Sequence, residues 1–401
     1  MQVPFSRPLI DAEVVAEVND CLLNTGWLTS GPKVLALEAE LSHLSGTPVL
    51  CVNSWTSGAM LALRWYGIGA GDEVIVPAYT YSATALCAMN LGARVVMVDV
   101  GNDYTMDPEC LRRAITPRTK AVIPVDIGGW PADYAALRAV LESARPIWAA
   151  SNERQEVLGR PLLLADAAHS LGAIYQGKPS GQLADITVFS LHSVKNVTTG
   201  EGGAICLNLP LPFDNEAEQG FLRVFALNGQ TKSAFEKNQP GAWRYDIVEQ
   251  GLKVNMPDIC AAVGLGQIRR YTAELLPERQ RIFEQYLEAF STAEWALIPP
   301  YRDANRESSA HLFMLRIRGY SETQRDALIQ RISAAGVGVN VHYIPMPMLT
   351  LFKRLGYRMG DYPNTFRLYE NEVSLPIYNG LGEEQVEYVV AAIRQGWEVE
   401  K

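Results

Sequence analysis

Seven short apolar runs punctuate the first 208 residues: TPVLCVN (47–53), DEVIVPAY (72–79), ARVVMVDV (93–100), KAVIPVDI (120–127), PLLLADA (161–167), DITVFSLH (185–192) and GAICLN (203–208). Each is short, and several are almost wholly apolar and β-branched, as expected of strands covered on both faces of a mostly parallel sheet. Helix-like segments such as TSGAMLALRWYGI (56–68) and PADYAALRAVLESA (131–144) lie between them. This alternation predicts an α/β fold in which helices cover both faces of one mostly parallel sheet.

Beyond residue 240 the pattern changes. MPDICAAVGLGQIRRYTAELLPERQRIFEQYLEAF (256–290) reads as a long helical run linking two domains, with a break expected near Pro277. HLFMLRIRGY, the helical SETQRDALIQRISAAG and VGVNVHYIP then predict a small α+β domain, and LGEEQVEYVVAAIRQGW a closing amphipathic helix. The chain therefore divides into a large domain, 1–255, and a linker helix with a small carboxyl-terminal domain, 256–401. No internal repeat is found. The polar stretch 143–160 is longer than a helix-to-strand connection needs, and reads as a tolerated surface loop or as an insertion at the rim of the site.

Bulk properties narrow the function. A net charge of −9 with no basic cluster argues against nucleic acid as a partner, whereas a small anion needs only a few local donors. No apolar stretch approaches the roughly 20 residues that span a bilayer. The amino terminus lacks the basic and apolar regions of a signal peptide. Six scattered cysteines, mostly among apolar neighbours and without a C-x-x-C pair, predict reduced thiols in a cytoplasmic protein and no zinc or other metal site.

Ligands of open α/β sheets bind outside the carboxyl ends of the strands, so the polar residues that follow each run matter most. These are Ser54, Thr56 and Ser57 at a helix start, Tyr79, Thr80 and Tyr81, Asp166 with His169, and Ser190, His192 and Lys195. Together they supply an acid, an amine, hydroxyl and backbone donors at a helix amino terminus, and an aromatic face. Pyridoxal phosphate needs this set: a lysine for its aldehyde, a carboxylate for its pyridine nitrogen and a cup for its phosphate. Singly, each has an ordinary reading. Asp166 could cap a helix or bind magnesium, His169 could be an interior histidine, and Tyr81 could pack on the helix it starts. Ser54, Thr56 and Ser57 could be a capping cluster. Lys195 could be a surface charge, although its surroundings do not match the G-x-x-x-x-G-K-[ST] phosphate loop. Gly200, Gly202 and Gly203 predict a tight turn after it, into the next strand.

The blocks GWLTSGPKVLALE (26–38), GIGAGDEVIVPAYTYSATA (67–85), LADAAHSLGA (164–173), FSLHSVKNVTTGEGGAI (189–205), VNMPDICAAVGLGQ (254–267), VHYIP (341–345) and SLPIY (374–378), in this order, resemble the DegT/DnrJ/StrS family of pyridoxal-phosphate-dependent sugar aminotransferases. The resemblance covers almost the whole chain. It implies the fold type I transferase architecture: a three-layer αβα large domain with a mostly parallel seven-stranded sheet, plus a small α+β domain.

By position, the resemblance makes Lys195 the covalent anchor and proton shuttle and Asp166 the partner of the pyridine nitrogen. Tyr81 and Ala168 take the two ring faces, and His169 lies near the ring hydroxyl. Thr56, Ser57 and Ser190 hold the phosphate, with Asn255 and Lys253 contributed across a homodimer interface. Gly26, Leu28, Thr29 and Ser30, with a VHYIP strand carrying His342 and Tyr343, line the sugar-nucleotide cleft. Lysine rather than histidine at 195 implies transamination rather than dehydration. Ala165, Trp55 and Asn228 depart from the family pattern at positions that bear on substrate choice. The implied substrates are L-glutamate, leaving as 2-oxoglutarate, and a keto sugar nucleotide, best read as a UDP-linked 4-keto-6-deoxy-N-acetylhexosamine for surface polysaccharide such as O-antigen or capsule. A 3-keto sugar nucleotide and PLP-dependent sugar dehydration are the alternatives.

Overall fold

The computed structural model describes residues 1–399. All seven apolar runs form strands of one sheet: β1 (Val49–Val52), β2 (Glu73–Pro77), β3 (Arg94–Val98), β4 (Thr119–Val122), β5 (Leu162–Asp166), β6 (Ile186–Ser190) and β7 (Gly203–Leu207). Their order is β1-β7-β6-β5-β4-β2-β3. β7 runs antiparallel to both its neighbours, and the remaining pairs are parallel.

Alternate side chains of each strand enter different cores, as the period of two requires. Leu50, Val74, Val76, Leu162, Leu164, Ile186 and Val188 pack under the helices Trp55–Trp65 and Ala83–Met89. On the other face, Ile75, Val122, Leu163 and Ala165 meet the helix Tyr134–Ser143, while Val49, Cys51 and Phe189 meet Pro32–Ser45 and Asp258–Ile268. Burial on both faces explains why these runs read as continuous rather than alternating hydrophobicity.

A second core joins the helices Leu276–Ser291, Glu322–Ala334 and Glu383–Glu398 to a three-stranded antiparallel sheet of Ala296–Leu297, Phe313–Ile317 and Glu372–Leu375. Val3, paired with Val337, also packs into it. The long helical run breaks earlier than expected. The helix Asp258–Ile268 ends before a five-residue wider turn, Tyr271–Leu275, and Pro277 lies in the first turn of the next helix. The wider turn runs directly into that helix, so the irregularity falls just before Pro277, where a proline inside a helical run is expected to disturb the hydrogen-bond ladder. The VHYIP segment is likewise no strand: only Asn340 pairs, with Ser374, before the chain turns away towards the large sheet.

Residues 143–160 form a short helical turn and the helix Glu153–Leu158. Asn152 and Gln155 donate to the Tyr66 carbonyl, at the carboxyl end of the helix Trp55–Trp65. The segment thus lies at the far end of that helix from Thr56, away from the site rim. Among the described residues no helix is long and apolar enough to cross a membrane.

Candidate active site

The strands β1, β2, β4, β5 and β6 run parallel, and the loops at their shared carboxyl edge enclose a cavity of ≈ 450 Å³. Thr56, Tyr81, Asp166, Ala168, His169, Ser190 and Lys195 line it, joined by His342 and Tyr343 from the segment after the helix Glu322–Ala334. Residues spread over 288 positions thereby share one small volume.

Asp166 ends β5 and is only 4% exposed. Its Oδ2 accepts a 2.7 Å hydrogen bond from the Thr84 hydroxyl and its Oδ1 one of 3.2 Å from the Ala168 N–H. Burial raises its pKa to about 7, against the lowering effect of those bonds and of Lys195. Thr80 bonds the Thr84 hydroxyl at 2.9 Å, which leaves the Thr84 proton for the carboxylate.

Lys195 follows β6 in a turn closed by its own N–H on the His192 carbonyl (2.9 Å). Its neighbour Asn196 is pinned by the Tyr271 hydroxyl, the Ser309 carbonyl and His311 Nδ1. The amine has no hydrogen-bond or ion-pair partner among the described residues. Burial pushes its pKa down to about 8, opposed by Asp166. A lysine poised in this way is neutral for a useful fraction of the time near pH 8, which a nucleophile and proton carrier requires.

The helix Trp55–Trp65 starts at the same edge, with Ser54 as its cap accepting from the Ser57 N–H at 3.1 Å. Its first turn points unused backbone donors towards the cavity, beside the Thr56 and Ser190 hydroxyls. The Trp55 indole N–H, buried at the cavity wall, also lacks an acceptor among the described residues. Ser57 does not line the cavity; its hydroxyl is bonded to Ser54 (2.9 Å). Gly203 makes this approach possible. A Cβ there would sit 2.6 Å from the Ser54 carbonyl carbon and 2.7 Å from the Trp55 nitrogen. Gly200, in the turn before it, has φ +79°, a conformation that suits glycine.

His169 is held as one tautomer. Its Nδ1 accepts the Gly128 backbone N–H at 3.1 Å, and burial pushes its pKa well below the usual histidine value. The ring proton is therefore on Nε2 and is donated to the Tyr343 oxygen, 3.0 Å away. Tyr343 keeps its own hydroxyl proton free for the cavity.

The other predicted residues form a separate cluster. Asn255 accepts from Lys253 Nζ at 2.5 Å and donates to the Ser30 hydroxyl at 2.6 Å, and Ser30 donates to the Met256 carbonyl. The Leu28 and Thr29 carbonyls accept from the Asp258 N–H, while the Asp258 carboxylate takes the N–H groups of Gly31, Lys33 and Val34. Gly26, at φ +61°, closes the turn before this loop. None of Gly26, Leu28, Thr29, Ser30, Lys253 and Asn255 lines the cavity of its own chain.

Thr84, Asn196, Glu372 and Ser374 shape the site without having been singled out by sequence, while Thr80 and Trp55 were noted there but given no role in holding Asp166 or the ligand. Thr80 and Thr84 follow a strand end one helical turn apart, which was a usable signal. Glu372 and Ser374 share one face of an otherwise apolar strand, and that also marks them.

The donor set fits pyridoxal phosphate. A buried carboxyl faces a partnerless amine, a helix amino terminus with orphan donors stands at one end, and Ala168 and Tyr81 offer a small and an aromatic face. Tyr81 is 60% exposed and tilts against Tyr343, with ring centres 5.8 Å apart. The profile of the DegT/DnrJ/EryC1/StrS aminotransferase family matches residues 8–394. The spore coat polysaccharide biosynthesis protein SpsC of Bacillus subtilis is 35% identical over 398 residues, covering 98% of this chain and 96% of SpsC. Spr1654 of Streptococcus pneumoniae, assigned as a sugar aminotransferase and solved in PMP, PLP and apo forms, superposes in its PMP form with a TM-score of 0.95 at 41% identity, covering 99% of this chain and 100% of that one. The sugar aminotransferase CalS13 of Micromonospora echinospora superposes with a TM-score of 0.83 at 27% identity, covering 99% and 100% of the two chains.

Proposed function

We propose a specific reaction from the premise that this chain belongs to the DegT/DnrJ/EryC1/StrS aminotransferase family and is a pyridoxal-phosphate-dependent sugar aminotransferase. The proposed reaction moves an amino group from L-glutamate to C4 of a UDP-linked 4-keto-6-deoxy-N-acetylhexosamine, for surface polysaccharide. The observation that carries it is the Lys195 amine, partnerless and lowered to about 8, opposite the buried Asp166 carboxyl in one cavity.

When bound, pyridoxal phosphate supplies the aldehyde that takes up the amino group and a protonated ring that stabilises charge at the carbon losing its proton. Asp166 holds the proton on the ring nitrogen, supported from behind by Thr84. The Lys195 Nζ anchors the group and carries a proton between neighbouring carbons, as the base in one direction and the acid in the other. Thr56, Ser190 and the first turn of Trp55–Trp65 hold the phosphate. Ala168 and Tyr81 keep water from the ring faces.

Ser57, in the first turn of Trp55–Trp65, stays with the phosphate cup of its own chain, while the cluster of Gly26, Leu28, Thr29, Ser30, Lys253 and Asn255 is read as completing the site of a second copy in a homodimer. Two facts support this. The cluster is built yet does not line its own cavity, and Leu28, Trp243, Tyr245, Ile247 and Val248 are all exposed. The name of SpsC supports a polysaccharide product. Lysine at 195, rather than histidine, favours transamination over dehydration.

The deciding experiment incubates the holoenzyme with glutamate and a panel of 3-keto and 4-keto sugar nucleotides on UDP and dTDP. The reading expects one 2-oxoglutarate for each amino sugar formed, with the UDP 4-keto substrate preferred. Sugar consumption without 2-oxoglutarate would favour dehydration.

A further inference from the structure

His342 lines the cavity beside Lys195, and what stands behind it is buried and polar. The strand Glu372–Leu375 pairs with Asn340 through Ser374, which brings His342 opposite Glu372. The His342 backbone N–H donates to Glu372 Oε2 at 3.0 Å, the Ser374 hydroxyl lies 2.5 Å from Glu372 Oε1, and His342 Nδ1 lies 2.9 Å from the same hydroxyl. Glu372 and Ser374 are both fully buried. The ring of His342 stacks on Phe5, 5.4 Å away, and its Nε2 has no partner among the described residues.

We propose that Glu372 and Ser374 are positioning residues for substrate recognition: through Ser374, the Glu372 carboxyl dictates which nitrogen of His342 carries the proton, and so whether Nε2 accepts from or donates to a substrate hydroxyl.

Ser374 has one proton, so the two bonds must run in the same direction. With Glu372 ionised, Ser374 donates to the carboxylate and accepts from His342 Nδ1–H, leaving Nε2 as a lone-pair acceptor. When a proton enters at Nε2, His342 passes its Nδ1 proton to Ser374, and Ser374 passes its own to Glu372. One proton has been taken up, His342 is still neutral, and Nε2 is now a donor. Burial favours this uptake and raises the Glu372 carboxyl to about 8. Arg325 and Arg316 pull against this rise without overcoming it. Arg325, from the helix Glu322–Ala334, spends its guanidinium on the carbonyls of Tyr369 and Glu372 and on Asp326. Arg316, on the neighbouring strand, lies over the ring of the buried Tyr104, and Tyr79 is buried beside it. Tyr343 accepts from His169. His342 itself resists protonation, its pKa being held at about 3 by burial and by Lys195. Beside the Tyr343 hydroxyl, a fixed donor, the cavity wall thus offers a second contact whose polarity is set from behind.

The chain has five histidines, so imidazole signals of 15N-histidine-labelled holoenzyme can be assigned by substitution. Two-bond 1H–15N spectra from pH 6.5 to 9.5 should show His342 protonated on Nδ1 at high pH and on Nε2 at low pH. Ser374→Ala and Glu372→Gln should each abolish the pH response, and Ser374→Thr should restore it. A His342 tautomer that is the same in the wild type and Ser374→Ala at every pH overturns the relay. The sugar-hydroxyl contact rests on the proposed substrate class. There Ser374→Ala should raise KM for the keto sugar about tenfold, the worth of one hydrogen bond, with kcat and the glutamate half-reaction unchanged. An equal loss in both half-reactions would overturn that role. Intact tautomer switching without turnover of any keto sugar nucleotide would instead count against the substrate assignment and leave the relay standing.

Discussion

Thr84 donates a 2.7 Å hydrogen bond to Asp166, across 82 residues of sequence, and so turns a buried carboxyl into an oriented one. The bond favours the ionised form and offsets part of the rise that burial imposes on its pKa. Thr84→Val removes it at nearly constant volume. The acid limb of the pH–rate profile should move to higher pH, and kcat should fall about tenfold, as for loss of one hydrogen bond to a charged group. Steady-state kinetics from pH 6 to 9 check this; an unmoved acid limb would deny Thr84 its role.

Asp166 carries a stability cost in the protein without cofactor. Its folded pKa of about 7 lies above the ordinary 3.8, so its contribution to stability is full below pH 4 and is lost as pH rises through 7. Asp166→Asn should therefore raise the thermal midpoint of the apoprotein at pH 8.5 relative to the wild type, by more than at pH 5. The same variant should lose about 100-fold or more in turnover, because an amide cannot hold the ring nitrogen's proton. Calorimetry at the two pH values tests the sign.

Lys195→Ala should abolish transamination, by about 1,000-fold or more, while leaving the fold intact. The visible absorbance of the holoenzyme should shift, since the cofactor is no longer held covalently. Full turnover in this variant would overturn the assignment of the amine.

Gly203→Ala touches no ligand, yet its Cβ would collide with the Ser54 and Trp55 backbone that starts the phosphate-facing helix. Affinity for pyridoxal phosphate should fall about tenfold or more, with a smaller change in kcat at saturating cofactor. Titration of the apoprotein with cofactor measures it.

The proposal that two copies share their sites makes a quantitative prediction for mixed dimers. Lys195→Ala and the double variant Lys253→Ala/Asn255→Ala should each be nearly inactive alone. Unfolded and refolded together in equal amounts, they should recover about one quarter of wild-type activity, because half of the dimers are mixed and each of these holds one intact site. No recovery would mean that each chain completes its own site.

The strands were legible because they are buried on both faces: runs such as Val74–Val76 and Leu162–Leu164 leave little room for another reading. Asp166 and Lys195 were legible because each follows such a run, where polar side chains must meet at the sheet edge. The break expected near Pro277 falls a few residues before it, at Arg270 and the wider turn Tyr271–Leu275. The strand assigned to VHYIP failed for a local reason: an apolar pentapeptide pairs only where a neighbouring edge is free to receive it.

By itself, then, the sequence determined the alternation of strands and helices, and which acid and which amine would meet at the carboxyl edge of the sheet. Period and composition are local properties, and they survive without knowledge of the fold. Only the tertiary structure decided that Thr84 would reach Asp166, that Gly128 and Glu372 would set the protons of His169 and His342, and that Asn255 and Ser30 would bond each other outside the lining of their own cavity. Those relationships depend on hydrogen-bond distances between residues far apart in the chain, and no pattern along the chain encodes a distance across it.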